Sequence, residues 1–146
     1  MSEYRHQALI AAPIERVWEL VGNPARHPEW FPRVVEVRGD SFRPGDAFVQ
    51  LTRTAAGTVG TTTLEIDTLE DMRELSFHCR DTGTHVHWRL TPAREDTFVE
   101  AEFGMDPTGL VYRVFDATAG RIYFRRWLEQ SVDALAHKVG EPPPAA

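Results

Sequence analysis

The sequence predicts an α+β domain in which a curved antiparallel sheet of about seven strands wraps around a long C-terminal helix, with two short helices after the first strand. Three observations predict it. Ile14, Val17, Trp18 and Val21 recur at helical spacing directly after Pro13, which is the signature of a proline-initiated amphipathic helix. From Val34 to Met105, runs of strand length alternate apolar with polar residues and are divided by turn residues. Phe124, Leu128, Val132, Leu135 and Val139 then recur at spacings of four, four, three and four, the stripe of a helix with one buried face.

The elements follow in order. A short strand through Ala8 to Ala12 runs into the first helix, which Asn23-Pro24 stops because proline disfavours the α region in the residue before it. A second, short helical piece from Pro24 ends in Trp30-Phe31, before Pro32. Strands are expected at Val34 to Val37, Ala47 to Thr54, Thr58 to Leu69, Glu74 to Arg80, Thr84 to Thr91 and Thr97 to Met105. The loop Ser41 to Asp46 and the turns Ala55-Ala56-Gly57 and Glu70 to Arg73 separate them.

Apolar parity sets an expected register, since a one-residue slip would turn every side chain to the opposite face. A tight turn at Thr82-Gly83 would pair Cys79 with Val86, Phe77 with Trp88 and Leu75 with Leu90. A turn at Arg94-Glu95 would set Trp88 beside Ala101 and Val86 beside Phe103. With Leu64 and Ile66 on the same face, an apolar surface awaits the C-terminal helix as its cover. Leu110, Val114, Ala117 and Arg121 extend the helical pattern upstream, Gly120 marks a weak point in it, and Tyr112, Phe115 and Tyr123 fall where a lid would form.

This succession of strand, Pro-started helix, short Trp-ended helix, antiparallel run and closing helix resembles the START-related ligand-binding (SRPBCC) superfamily in its polyketide cyclase/dehydrase-like branch. The resemblance covers Tyr4 to Val139 and implies a helix-grip fold with a hydrophobic cavity between sheet and helix. Some members bind lipids or other apolar molecules, some cyclise polyketides, and some are protein partners. The cavity would draw on Val17, Trp18, Val21, Trp30 and Phe31 from the N-terminal helices. The sheet would add Leu64, Ile66, Leu75, Phe77, Cys79, Val86, Trp88, Leu90, Val99, Ala101 and Phe103, and the long helix Phe124 and Leu128. The same residues would equally fill a solid core.

Composition narrows the function. The chain has 146 residues and a net charge of −6, from 22 acidic and 16 basic side chains, which argues against nucleic acid or an anionic membrane as the main partner. Cys79 is the single cysteine, so no internal disulfide is available, and no apolar run reaches membrane-spanning length. A cytosolic location is expected, with one domain over residues 1–140 and a disordered Pro-rich tail from Glu141 to Ala146.

The inward sheet positions carry no carboxylate, histidine or lysine, so polar readers of a ligand would come from helices and loops: Arg121, Ser131, His27, Glu29, Tyr112 or Tyr123. Outward, the expected register sets His78, His87 and Glu102 side by side with His85 nearby, a set that zinc tolerates but that reads as solvated sheet surface. Arg89 beside Glu100 reads as a cross-strand ion pair. Cys79 reads as a small buried hydrophobe and His27 as a surface loop residue. Neither a metal nor another cofactor is expected.

The leading expectation is binding or carriage of an apolar or aromatic small molecule, lipid- or polyketide-like. The first alternative is a polyketide aromatase/cyclase promoting aldol closure and dehydration, with Arg121 stabilising an enolate and Tyr123 or His27 moving protons. The second is a protein-interaction module using an edge strand at Ala47 to Thr54 or an outward Trp127.

Overall fold

Alternating strands separated by short turns pair with their sequence neighbours, and here they build one seven-stranded antiparallel sheet. The computed structural model describes residues 2–54, 56–105 and 119–140. The proline-rich tail and Leu110, Tyr112, Val114, Phe115 and Ala117 lie outside the described residues. The strands are β1 (Ser2–Ile10), β2 (Val34–Arg38), β3 (Ala47–Arg53), β4 (Val59–Glu70), β5 (Glu74–Cys79), β6 (Thr84–Ala93) and β7 (Asp96–Met105). Their order is β1-β7-β6-β5-β4-β3-β2. Helix α1 (Ile14–Val21) and a 3-10 helix (Pro24–Glu29) connect β1 to β2, and helix α2 (Ala119–Val139) follows β7. This is the α+β helix-grip arrangement.

The sheet bends where the ladders slip. The β4–β5 register shifts between Ile66 and Thr68, and that of β2–β3 between Val34 and Glu36. An extra residue on one strand adds twist and turns a flat ladder into a concave one.

Three details differ from the sequence expectation. The first strand starts at Ser2 and pairs with β7 along its whole length. The β5–β6 register is displaced by two residues: Phe77 faces Val86 and Leu75 faces Trp88. Gly83, at φ 74°, closes a wider loop by donating to the Cys79 carbonyl at 2.9 Å, and an even shift leaves every side chain on its expected face. Finally, β3 lies between β2 and β4, so the edges are β1 and β2, and Ala47 to Arg53 offers no free ladder. The β6–β7 register is as expected, with Trp88 opposite Ala101 and Val86 opposite Phe103.

Helix α1 buries Val17, Leu20 and Val21, whereas Trp18 is half-buried and lies flat over Gly22. The close approach requires glycine, because a Cβ at residue 22 would stand 2.3 Å from the Trp18 ring. A Gly22→Ala variant is therefore expected to lose about 1–3 kcal/mol, read from chemical denaturation, as the indole is forced off the helix.

Helix α2 packs mainly over β1 and β7, with the Phe124 ring stacked on Tyr4 at 6.4 Å. Trp127 points inward rather than outward: it is buried, and its Nε1 donates to the Pro32 carbonyl at 2.6 Å. It joins Trp30, Phe31, Trp88 and Phe103 in an aromatic plug at the centre of the core.

Candidate functional site

Among the described residues, α2 lies over β1 and β7 and reaches the β3–β5 side of the concave face only through the side chains of its first turns. The aromatic plug fills the middle, and beyond it lies a partly open cavity of about 340 Å³. Its wall is built by Gln50 and Thr52 of β3, Thr62 and Leu64 of β4, Phe77 and Cys79 of β5, Val86 of β6 and Met105 of β7, with Tyr123, Phe124 and Trp127 from α2. The volume falls within the range of small-molecule sites, and the surface is predominantly apolar.

Five of the residues expected from the sequence meet at this wall: Leu64, Phe77, Cys79, Val86 and Phe124. The rest lie elsewhere. Val17, Val21, Trp30, Phe31, Ile66, Leu75, Trp88, Leu90, Val99, Ala101, Phe103 and Leu128 are buried in the solid core, and Trp18 sits half-buried on α1. Large flat rings in edge and stacked contact consume the space that a bare face pattern leaves open, as in the Phe31–Trp88 contact at 5.8 Å.

The polar candidates separate sharply. Tyr123 is half-buried in the wall, and burial raises its phenol above the ordinary value, partly offset by the Arg33 guanidinium 4.8 Å from its ring centre. At neutral pH the phenol is therefore protonated. Arg121 is exposed in the first turn of α2 and is not among the described residues of the wall. His27 is not a surface histidine. It is fully buried against Trp30, Phe31 and Phe77, with Nε2 2.9 Å from the Val21 carbonyl, because the 3-10 helix rolls its ring into the core. Ser131 donates to the Trp127 carbonyl of its own helix, and Glu29 accepts from Arg26 at 2.9 Å at the surface.

The sequence reading missed Gln50. It is 4% exposed, its Nε2 donates to Thr52 Oγ1 at 2.9 Å, and its Oε1 is buried with no partner. The signal was the β3 alternation Phe48, Gln50, Thr52, whose parity follows from the pairs Phe48 with Leu64 and Gln50 with Thr62.

On the convex face the expected trio does not form. The shifted register sets His78 opposite His85 and His87 opposite Ser76, and each imidazole takes its own carboxylate. His78 Nδ1 is 2.9 Å from Asp67 and His87 Nε2 is 2.7 Å from Glu74, while Glu102 holds Arg5 at 3.2 Å. Arg89 is opposite Glu100 in the ladder, but its guanidinium lies 3.8 Å from Glu74. Glu3, His85 and Glu102 do bring one ligand atom each within 4.8 Å of one another, at a site shared with Arg5. Among the described residues no helix is long and apolar enough to cross a membrane.

Comparison with known proteins agrees with this architecture. No curated protein matches the chain. A solved structure from Thermus thermophilus is similar at TM-score 0.76 and 17% identity, covering 94% of this chain and 97% of that one. A Bacillus halodurans protein solved in solution is similar at TM-score 0.75 and 19% identity, covering 97% of this chain and 98% of that one. The Zhui aromatase/cyclase of a Streptomyces species is similar at TM-score 0.71 and 16% identity, covering 94% of this chain and 93% of that one. At such identities the likeness concerns the fold. The model of the family described as polyketide cyclase/dehydrase and lipid transport matches residues 1–140, and the chain belongs to that family.

Proposed function

We propose that the protein binds or carries a hydrophobic or aromatic small molecule in the cavity between the sheet and α2. The observation that carries this reading is the cavity itself: about 340 Å³ of mainly apolar space beside the aromatic plug. Burial of apolar ligand surface would supply most of the affinity, at about 25 cal/mol per Å². A cytosolic location fits the reading, since Cys79 is a free, buried cysteine and needs no oxidising compartment.

Native mass spectrometry of the freshly purified protein, followed by solvent extraction, tests it. A bound organic molecule at one per chain is the expected result. Thr62→Trp provides the control, because Thr62 is half-buried on a strand that accepts an aromatic residue and its side chain borders the cavity. That variant is expected to keep its melting temperature and to weaken binding at least about tenfold. Unchanged binding would remove the cavity as the site.

A second reading is an aromatase/cyclase, favoured by the Tyr123 phenol in the wall and by membership of the polyketide cyclase/dehydrase and lipid transport family. A Tyr123→Phe variant separates the two: a cyclase would lose turnover while retaining its ligand, whereas a carrier has no turnover to lose. The interaction-module reading loses its two supports, since Trp127 is buried and β3 is interior.

A further inference from the structure

Buried polar atoms are ordinarily satisfied, and an exception at a cavity wall is a point where a bound molecule can supply the missing partner. Among the described residues four buried side-chain atoms lack one: His27 Nδ1, Arg33 Nε, Gln50 Oε1 and Trp88 Nε1. Of these residues only Gln50 lines the cavity. The other polar groups nearby are engaged with one another. Thr52 Oγ1 accepts from Gln50 Nε2, Thr62 Oγ1 donates to the Gln50 carbonyl at 3.3 Å, and Thr82 Oγ1 donates to Thr84 Oγ1 at 2.8 Å. Among the described residues, Gln50 Oε1 is therefore the buried side-chain atom of the wall that is left without a partner.

The described lining carries no charged side chain either, the described guanidinium of Arg33 lying against the Tyr123 ring at 4.8 Å from its centre. The described wall residues include no Asp, Glu, His, Lys or Arg, and the raised Tyr123 phenol stays neutral. An ionised ligand group would lose its hydration there without gaining a counter-charge. A hydroxyl, by contrast, gives Gln50 the hydrogen bond it lacks and leaves no charge to neutralise.

We infer that the cavity selects neutral, largely aromatic or apolar alcohols and phenols, with the ligand hydroxyl donating to Gln50 Oε1. Gln50 is then the specificity-determining residue, distinguishing a hydroxylated ligand both from its bare hydrocarbon and from its carboxylate. This inference rests on the cavity being the binding site.

Three probes of one shape test it: naphthol, naphthalene and naphthoate, titrated by calorimetry against the wild-type protein and against Gln50→Met and Gln50→Leu. The wild-type protein is expected to bind naphthol about tenfold more tightly than naphthalene and to reject naphthoate. Both variants should bind naphthol and naphthalene alike, with naphthalene affinity held or improved. Methionine matches glutamine in length and flexibility, which keeps the test open if the branched leucine unsettles β3. A naphthol preference that survives in Gln50→Met, or that is missing from the wild type although probes bind, overturns the role of Gln50 and leaves the cavity reading standing. Failure of every probe to bind the wild type overturns the cavity reading and this inference with it.

Discussion

Replacing Phe31 with alanine is expected to cost about 3–5 kcal/mol of folding stability, the range for deleting a buried ring whose space cannot collapse. Phe31 is the residue at which the layers meet. Its ring centre lies 5.0 Å from Trp30, 5.8 Å from Trp88, 5.7 Å from Phe103 and 5.3 Å from Trp127. Those partners belong to the segment after the 3-10 helix, to β6, to β7 and to α2, so one side chain joins the sheet to both helical layers. The surrounding rings are flat and rigid, and two are pinned: Trp30 Nε1 donates to the Leu20 carbonyl and Trp127 Nε1 to that of Pro32. They cannot flow into the void. Urea denaturation gives the value directly, and Phe31→Leu should recover more than half of the loss. A cost under about 1 kcal/mol would mean that the plug repacks freely. Because Trp127 is also part of the cavity wall, the alanine variant should weaken ligand binding too, which links the core to the site.

The fold was legible because period and punctuation agree along most of the chain. Pro13 and Asn23-Pro24 bound α1, and strands β4 to β7 begin and end within a residue or two of their turn residues. Parity fixed the faces even where register failed: the β5–β6 loop is wider than a two-residue turn, and a shift of two moves every partner while flipping none. Sequence could not place α2 laterally. A helical stripe reports which face is buried, not which strands lie beneath it, and the β1–β7 position of α2 is what leaves room for a cavity.

The same limit governs the site. Leu64, Phe77, Cys79, Val86 and Phe124 share a face with Leu75, Trp88 and Phe103, and nothing in the pattern separates wall from plug. That distinction depends on how Trp30, Phe31 and Trp127 fill three dimensions. Gln50 escaped notice because a polar residue on an inward position reads as an interruption of the pattern rather than as part of a pocket. Trp127 was misplaced for the converse reason: its indole needs a hydrogen-bond acceptor, and the acceptor is a distant backbone carbonyl.

His27 should make the protein sensitive to acid. Its ring is fully buried beside Trp30, Phe31 and Phe77, and desolvation lowers its pKa from 6.5 to about 4, with the Val21 hydrogen bond opposing only in part. A histidine that stays neutral when folded but protonates at its ordinary pKa when unfolded binds fewer protons in the native state. Its contribution is therefore complete above about pH 6.5 and is lost as the pH falls toward 4, where the folded ring finally takes up its proton. The slope is about 1.4 kcal/mol per pH unit, for a total near 3 kcal/mol across that window. Replacing His27 with glutamine keeps an N–H for the Val21 carbonyl and removes the titration. Stability measured by urea unfolding between pH 4 and pH 7 should fall more steeply for the wild type than for His27→Gln by about that amount. Parallel curves would show that the imidazole protonates in place. Since Phe77 touches His27 on one side and lines the cavity on the other, the acid-induced loss should reach the binding site through that ring.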